Sequence, residues 1–474
     1  MDPLLHHRFP GFRARVGVSR WDITPGLDVC AKNWGAAKNW FATGVHRPLT
    51  GTALAIASED GTGLPLLLLS LDLGWWRSRR DADALRAQVL AQLALPEANV
   101  IIHLTHTHAG PALDSDAPAE ANPDACRAYL ARLTEWCVGG GHAALDQLAP
   151  ATALFRPGRC GLASERDLID PANPERYLTG FHPGAPADDT LLTALFLAED
   201  GRPLATLVNY ACHPTTLAWE NTLISPDYPG AMRELIESQT SGAPCLFLQG
   251  ASGELAPAEQ YSGDSRLADR HGRELGFAAL SALAPLVDGA SHLRYDGPVE
   301  SGAPLALWHA CQQPASRALG AVAVALDLEL KSDLPSIAQI DTALAQKPTG
   351  YLYERLLRQR RVRASVGDGA HSAEKLWLWR LGDAALCALP FEVYSVFQTE
   401  LRAAFPATPL LVLNVCNGPV GYLPPGPLYD RNLYTVWQTP HARGGHERLM
   451  VSAVAGLREL LRDRPRQRGI GREL

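Results

Sequence analysis

The sequence contains no apolar run near the ~20 residues that a membrane-spanning helix requires. Its longest, such as Leu66 to Leu69 and Ala321 to Leu326, fall far short, so no integral membrane segment is expected. A basic stripe is also missing. Net charge is -7 and the pI about 6.1, which argues against nucleic acid as a partner. The start, MDPLLHHRFPGFRARVG, lacks the basic, apolar and small-residue succession of a secretory signal. The nine cysteines are odd in number and have no CxxC spacing. They read as mostly buried free thiols, with the cytoplasm as the expected location. Equally absent are a GxSxG elbow (Gly250-Ala-Ser-Gly is not one), an HExxH helix, a Walker A loop and a dinucleotide-binding glycine fingerprint.

What is present is an ordinary folded composition, 46% hydrophobic and 20% charged. A chain of 474 residues would suit about three domains at ~150 residues each. No Ser/Gly linker, heptad run or long repeat divides it, however. Strand-like and helix-like segments alternate. Pro65 to Leu73 and Asn99 to His108 read as buried strands, with a helix over Asp81 to Leu93 between them and another from about Pro123 to Leu148. Leu191 to Leu197 and Leu204 to Ala211 flank Glu199-Asp-Gly-Arg, a hairpin signal. A strand at Pro244 to Gly250 precedes a helix over Arg266 to Leu286. The second half predicts a strand at 321–330, helices near Ile337 and Tyr353, a hairpin at Gly382-Asp383, a helix from Val393, a strand at 410–413 and a last helix from Glu447. The expectation is one large α/β domain over 1–474 with mixed sheets and surrounding helices, and a subdomain near 290–370. The Arg-rich tail from Arg462 reads as a solvated, frayed end.

Four places can carry chemistry. His106 and His108 lie two apart at a predicted strand end, so both imidazoles face one side and His103 the other. Ligands gather at such strand ends in α/β enzymes, and imidazole is the commonest metal ligand. The pair is either a metal site or two hydrogen-bonded histidines. His213, before Pro214, ends another strand and can converge with the first pair or be structural. Glu392, after Pro390, is read as opening a helix, where a carboxylate complements the helix dipole. Tyr422 lies in a loop dense in Pro and Gly, where a buried, hydrogen-bonded phenol is the ordinary expectation. Trp34, Trp40, Trp75 and Trp76 are candidates for an apolar pocket wall.

In their order along the chain, several segments resemble the neutral/alkaline ceramidases. They are Gly17-Val-Ser-Arg-Trp-Asp-Ile-Thr-Pro, Gly44-Val-His-Arg-Pro-Leu, Ser70-Leu-Asp-Leu, Thr105-His-Thr-His-Ala-Gly-Pro, Asn209-Tyr-Ala-Cys-His-Pro-Thr, Ser225-Pro-Asp-Tyr-Pro-Gly, Pro390-Phe-Glu and Asn417 to Tyr422. The resemblance implies a ceramidase-like catalytic domain with one zinc ion per chain, held by His106, His213, Glu392 and Tyr422. It implies that His108 bonds the zinc water or the reacting carbonyl, that Tyr434 is a further active-site tyrosine, and that Arg166 matches the Arg of an Asn-Arg pair whose Asn is here Glu165. Asp72 can orient a ligand histidine or cap a strand end.

Three departures bear on function. The motif that carries the family's nucleophilic serine aligns with Ala251-Ser-Gly-Glu-Leu-Ala-Pro-Ala, so Ala256 stands at the serine and Glu254 at the Asp. A methyl group cannot attack a carbonyl. Attack by zinc-activated water is therefore expected, with His108 or Glu254 handling protons and Ser252 as a substitute nucleophile. The C-terminal immunoglobulin-like domain and the secretion signal of the family have no counterpart. Together these predict a metal-dependent hydrolase of amidase type cleaving the linear amide of a soluble, partly apolar N-acyl small molecule rather than ceramide. The same site suits an ester or lactone, and loss of the serine also fits an inactive ligand-binding relative.

Overall fold

The computed structural model describes residues 6–286, 292–311, 315–418 and 421–462. The tail predicted to fray lies outside them from residue 463 onward.

Continuous apolar strands set the architecture. In Leu66–Leu71 and Thr50–Ala57 alternate side chains enter two different cores. Leu54, Ile56, Leu66 and Leu68 point one way, and Ala53, Ala55, Leu67 and Leu69 the other. Such strands must be covered on both faces. They belong to an eight-stranded sheet whose order, from one edge, is Cys245–Gln249, Pro203–Tyr210, Thr190–Ala198, Ala149–Arg159, Gly11–Asp22, Thr50–Ala57, Leu66–Leu71 and Val100–Leu104. A four-stranded sheet of Leu319–Glu329, His371–Leu381, Ala384–Ala388 and Leu410–Leu413 covers one face. Phe12, Phe155, Phe196, Leu207, Trp377, Trp379 and Leu411 fill the space between the sheets.

Helices cover the outer faces. Arg79–Leu93 and Pro123–Asp146 pack on one half of the large sheet through Leu85, Val89, Leu133 and Cys137. Tyr228–Gln239 and Ser265–Leu283 pack on the other half through Met232, Ile236, Leu275 and Ala279. Ser395–Ala404 and Gly445–Leu461 cover the small sheet through Phe397, Leu401, Leu449 and Leu457. The fold class is α/β, as the alternating pattern predicts. No helix among the described residues is long and apolar enough to cross a membrane, and all nine cysteines are free, Cys311 alone being only half-buried.

Each edge of the large sheet is a parallel pair joined through a helix: 66–71 with 100–104, and 203–210 with 245–249. These opposite edges are drawn together. The backbone N–H of Gln249 donates to His103 Nε2 at 2.9 Å, and Ser70 Oγ donates to the Phe247 carbonyl at 3.0 Å. The segment 414–417 joins both rims: Asn414 N–H bonds the Gln249 carbonyl at 3.0 Å, and Asn417 bonds Ile102 through its N–H at 2.9 Å and its Oδ1 at 2.8 Å. The seam brings the C-terminal ends of both parallel pairs to one place.

Candidate metal centre and substrate cavity

His106 and His213 approach each other across that seam. The strand 100–104 stops before His106, which takes left-handed backbone with φ 71°. The predicted strand through His108 is therefore too long. The chain turns at Thr105, whose N–H bonds the Leu71 carbonyl, and both imidazoles still reach one cavity, with ring centroids 5.1 Å apart. Backbone strain gathers here: Val415 and Asn417, beside the same loop, have φ 54° and 59°. A β-branched residue in this region costs on the order of 1–3 kcal/mol and is tolerated only where its surroundings over-determine it.

Each histidine is oriented by a main-chain carbonyl. His106 Nδ1 donates to Gly74 at 2.9 Å and His213 Nδ1 to Leu255 at 3.1 Å. Their Nε2 atoms are thus lone pairs, and both face Glu392 Oε2, at 3.2 and 3.0 Å. Glu392 does not open a helix. It is the middle of a short strand, Phe391–Val393, paired in parallel with Gly421–Leu423 so that Glu392 lies beside Tyr422. The helix begins only at Ser395. The Tyr422 hydroxyl reaches His213 Nε2 at 3.4 Å and also meets Glu392.

This is a set of acceptors turned toward one another. Two imidazole lone pairs and a carboxylate oxygen at these separations repel unless a proton or a cation lies among them. Nitrogen and oxygen ligands at ~2.0–2.1 Å from a tetrahedral ion stand about 3.3 Å apart, the spacing seen. The ring nitrogens of His106, His108 and His213 also lie within 4.8 Å of one another. The donor set fits a divalent cation.

Burial, with His106 and His213 nearby, holds His108 well below the ordinary imidazole range. Burial and then Arg166 bring His213 down to about 4. Burial opposes ionisation of Glu392; positive charge at His106 and His213 would outweigh it and hold its carboxyl well below the usual range, a charge that a bound cation would supply. Burial and then Glu392 push the Tyr422 phenol well up. Neither ring nitrogen of His108 has a hydrogen-bond partner among the described residues. Its ring lies between Trp34 and Trp75, at centroid distances of 5.0 and 4.8 Å.

Arg166 is buried behind Tyr422, donating to its hydroxyl at 3.0 Å and to the Gly253 carbonyl at 2.7 Å. The Tyr434 ring meets Tyr422 edge-on at 5.7 Å, and its hydroxyl accepts from Arg358. Glu254 is a correction. It does not line the cavity. Both its oxygens accept from Ser395 N, at 2.8 and 2.9 Å, and Ser395 Oγ bonds it too, so it caps the helix that starts there. Burial raises its carboxyl to about 8. Ser252 is likewise turned to Gln249 and does not line the cavity. Ala256 is wholly buried, in a short strand paired with Ala163–Glu165. Asp72 orients no ligand histidine: it forms a two-pronged ion pair with Arg233, at 2.7 and 2.5 Å.

The cavity holds about 600 Å³ and is lined by Trp34, Trp40, Trp75, Trp76 and by residues absent from the sequence reading, among them Trp219, Tyr261, Arg77, Arg358 and Arg361. The helix Tyr351–Val366 forms one wall. Its arginine density was the available signal, but nothing in the sequence says against what that helix docks.

No family model matches the chain and no curated protein matches it in sequence. Solved structures do resemble it, among them two ceramidases. One, described as a ceramidase complexed with C2, superposes with TM-score 0.67 at 16% identity, covering 96% of this chain and 76% of that one. The other, a neutral ceramidase from Pseudomonas aeruginosa, gives TM-score 0.64 at 18% identity over 97% of this chain and 76% of its own. Over nearly its whole length, then, the chain has the fold of the neutral ceramidases, the family that its motifs resemble.

Proposed function

We propose that the protein is a zinc-dependent hydrolase of the linear amide of a small N-acyl compound, acting as a single catalytic unit in the cytoplasm. One observation carries the reading: His106 Nε2, His213 Nε2 and Glu392 Oε2 converge as acceptors, with Tyr422 beside them. His106, His213, Glu392 and Tyr422 would hold the ion, one per chain. Bound zinc supplies carbonyl polarisation and a water acidic enough to ionise near pH ~7.

The chain's own residues supply the rest. The Gly74 and Leu255 carbonyls fix both imidazoles in one tautomer, so that Nε2 stays a lone pair. Arg166 holds the Tyr422 oxygen and favours its phenolate form. His108, neutral and without a partner for either ring nitrogen, can accept a proton from water at one nitrogen or bond the reacting carbonyl from the other. The indoles of Trp34 and Trp75 exclude bulk water beside it and offer apolar area to an acyl chain. Nine free thiols suit a reducing compartment.

An ester or lactone meets the same groups. An inactive binding protein is opposed by the cost of burying these acceptors together without a cation. The test is metal content with turnover on a panel of acyl amides, esters and lactones. About one zinc per chain, lost together with hydrolysis in His213→Ala, is expected. Zinc bound at that stoichiometry with no turnover across the panel overturns the enzyme reading.

A further inference from the structure

Resting on the hydrolase reading, we propose that the substrate amide carries a carboxylate close to the scissile bond, received by Arg358 and Arg77, so that the substrate class is N-acylated amino acids. The cavity wall is unbalanced in charge. It carries five cations, Lys32, Arg77, Arg166, Arg358 and Arg361, against three carboxylates, Asp114, Glu354 and Glu392. Asp114 is taken by Arg361 at 2.9 Å and Glu354 faces Lys32 at 3.8 Å. Glu392 belongs to the imidazole cluster. Arg77 and Arg358 form no ion pair among the described residues. Arg77 is held by neutral acceptors, the Lys32 carbonyl at 2.6 Å and Asn33 Oδ1 at 2.9 Å, and Arg358 by the Tyr434 hydroxyl.

Burying a guanidinium without a counter-charge is costly, and here like charges face one another. Burial and then Arg361 and Arg358, against Asp114, draw Arg77 down to about 10. It stays cationic at neutral pH and is short of one anion. Arginine's planar fork takes a carboxylate in two parallel bonds.

Position narrows the class. Arg358 bonds Tyr434, and the Tyr434 ring lies 5.7 Å from that of Tyr422. Two phenol rings, Tyr434 and Tyr422, thus link the Arg358 guanidinium to His213, and the Arg77 guanidinium lies 5.8 Å over the Trp75 ring, itself 4.8 Å from that of His108. On this assignment the substrate carboxylate lies at the guanidinium groups and the scissile carbonyl at the cluster, as the two groups of an N-acyl amino acid would. Trp34 and Trp219, which also line the cavity, remain for the acyl chain.

The experiment uses the zinc-loaded full chain with N-octanoylglycine and its neutral twin N-octanoylglycinamide. Wild type should prefer the acid in kcat/KM by about tenfold or more, since a charge-assisted pair is worth ~1.5–3 kcal/mol. In Arg358→Gln and in Arg77→Gln the ratio should collapse to about twofold or less, and Arg358→Lys should retain part of it. Melting curves identify any variant that fails to fold, and Arg358→Lys then decides for that site. Equal or better turnover of the neutral twin by wild type overturns this inference and leaves the hydrolase reading standing. If neither compound turns over, calorimetric binding of the same pair decides: tighter binding of the acid, lost in Arg358→Gln, upholds the anion site while hydrolysis of these amides fails. Equal binding overturns it.

Discussion

The floor and the mouth of the cavity are built in opposite ways. The floor consists of His106, His213, Glu392 and Tyr422. Each is placed by main-chain hydrogen bonding: carbonyls for the imidazoles, a parallel three-residue register for the acid and the phenol. The mouth consists of side chains from a loop near Trp34, the segment Trp75 to Arg77 and the helix 351–366, held largely through side-chain contacts such as Trp34 with Trp219 and Tyr261 and Arg358 with Tyr434. Backbone-placed groups are rigid and intolerant of change. Side-chain-placed groups adapt, so chemistry belongs to the floor and selectivity to the mouth.

The contrast breaks most sharply at Glu392. Glu392→Gln should lower kcat by at least ~10³-fold and abolish tight metal binding, because the acceptor cluster loses its carboxylate. Metal analysis and steady-state rates check this, and a variant that keeps both would assign the chemistry elsewhere. Arg166→Ala should cost ~10–100-fold in metal affinity or activity, the usual price of removing a group that supports a ligand, with the Tyr422 phenol titrating higher by ultraviolet absorbance. At the mouth, Trp75→Ala should raise KM several-fold with kcat within about threefold, as expected for binding that is uniform in ground and transition states. An equal fall in kcat would move Trp75 to the floor.

Glu254 sharpens the boundary from outside. Glu254→Gln should leave kcat within about threefold and lower stability by ~1 kcal/mol through the weakened helix cap. Loss of turnover at unchanged stability would restore it as a proton-transfer group. An effect remote from the cavity concerns acid. Burial, with Arg79 and Lys331 nearby, lowers His441 to about 3. The unfolded chain takes up that proton near pH 6.5 and the folded one does not. The contribution is therefore whole above pH 6.5 and lost as pH falls from there toward 3. His441→Leu should gain up to about 2 kcal/mol relative to wild type between pH 7 and pH 5, read from urea midpoints. A difference independent of pH would mean that His441 protonates inside the fold.

The sequence carried the local parts of this architecture. Leu66–Leu71, the hairpin at residues 190–210 and the turn at Gly382 follow from short-range pattern and turn chemistry, and the structure has them at nearly the expected bounds. Glu392 misled because Pro390 and a following helix mimic a helix start. Its real partner lies thirty residues on, across a two-strand pairing too short to leave a periodic trace. His103 was legible only as facing away from His106, since its partner, Gln249 N, is 146 residues distant. Arg77 and Arg358 were unreadable for a similar reason. An arginine in a loop, like Arg77, or on a surface helix, like Arg358, is ordinarily solvated, and only the docking of those segments over the cavity changes its meaning.

The union of Ser70, His103 and Asn414 with the far rim of the large sheet has a thermodynamic corollary. His106 hangs from one rim and His213 from the other, so an ion gripped by both acts as a rivet through the barrel-like closure. Its affinity becomes part of the stability of the whole chain. Chelation would then lower the melting temperature of the entire molecule rather than slacken one loop, and weakening the join would show first as a looser grip on the ion.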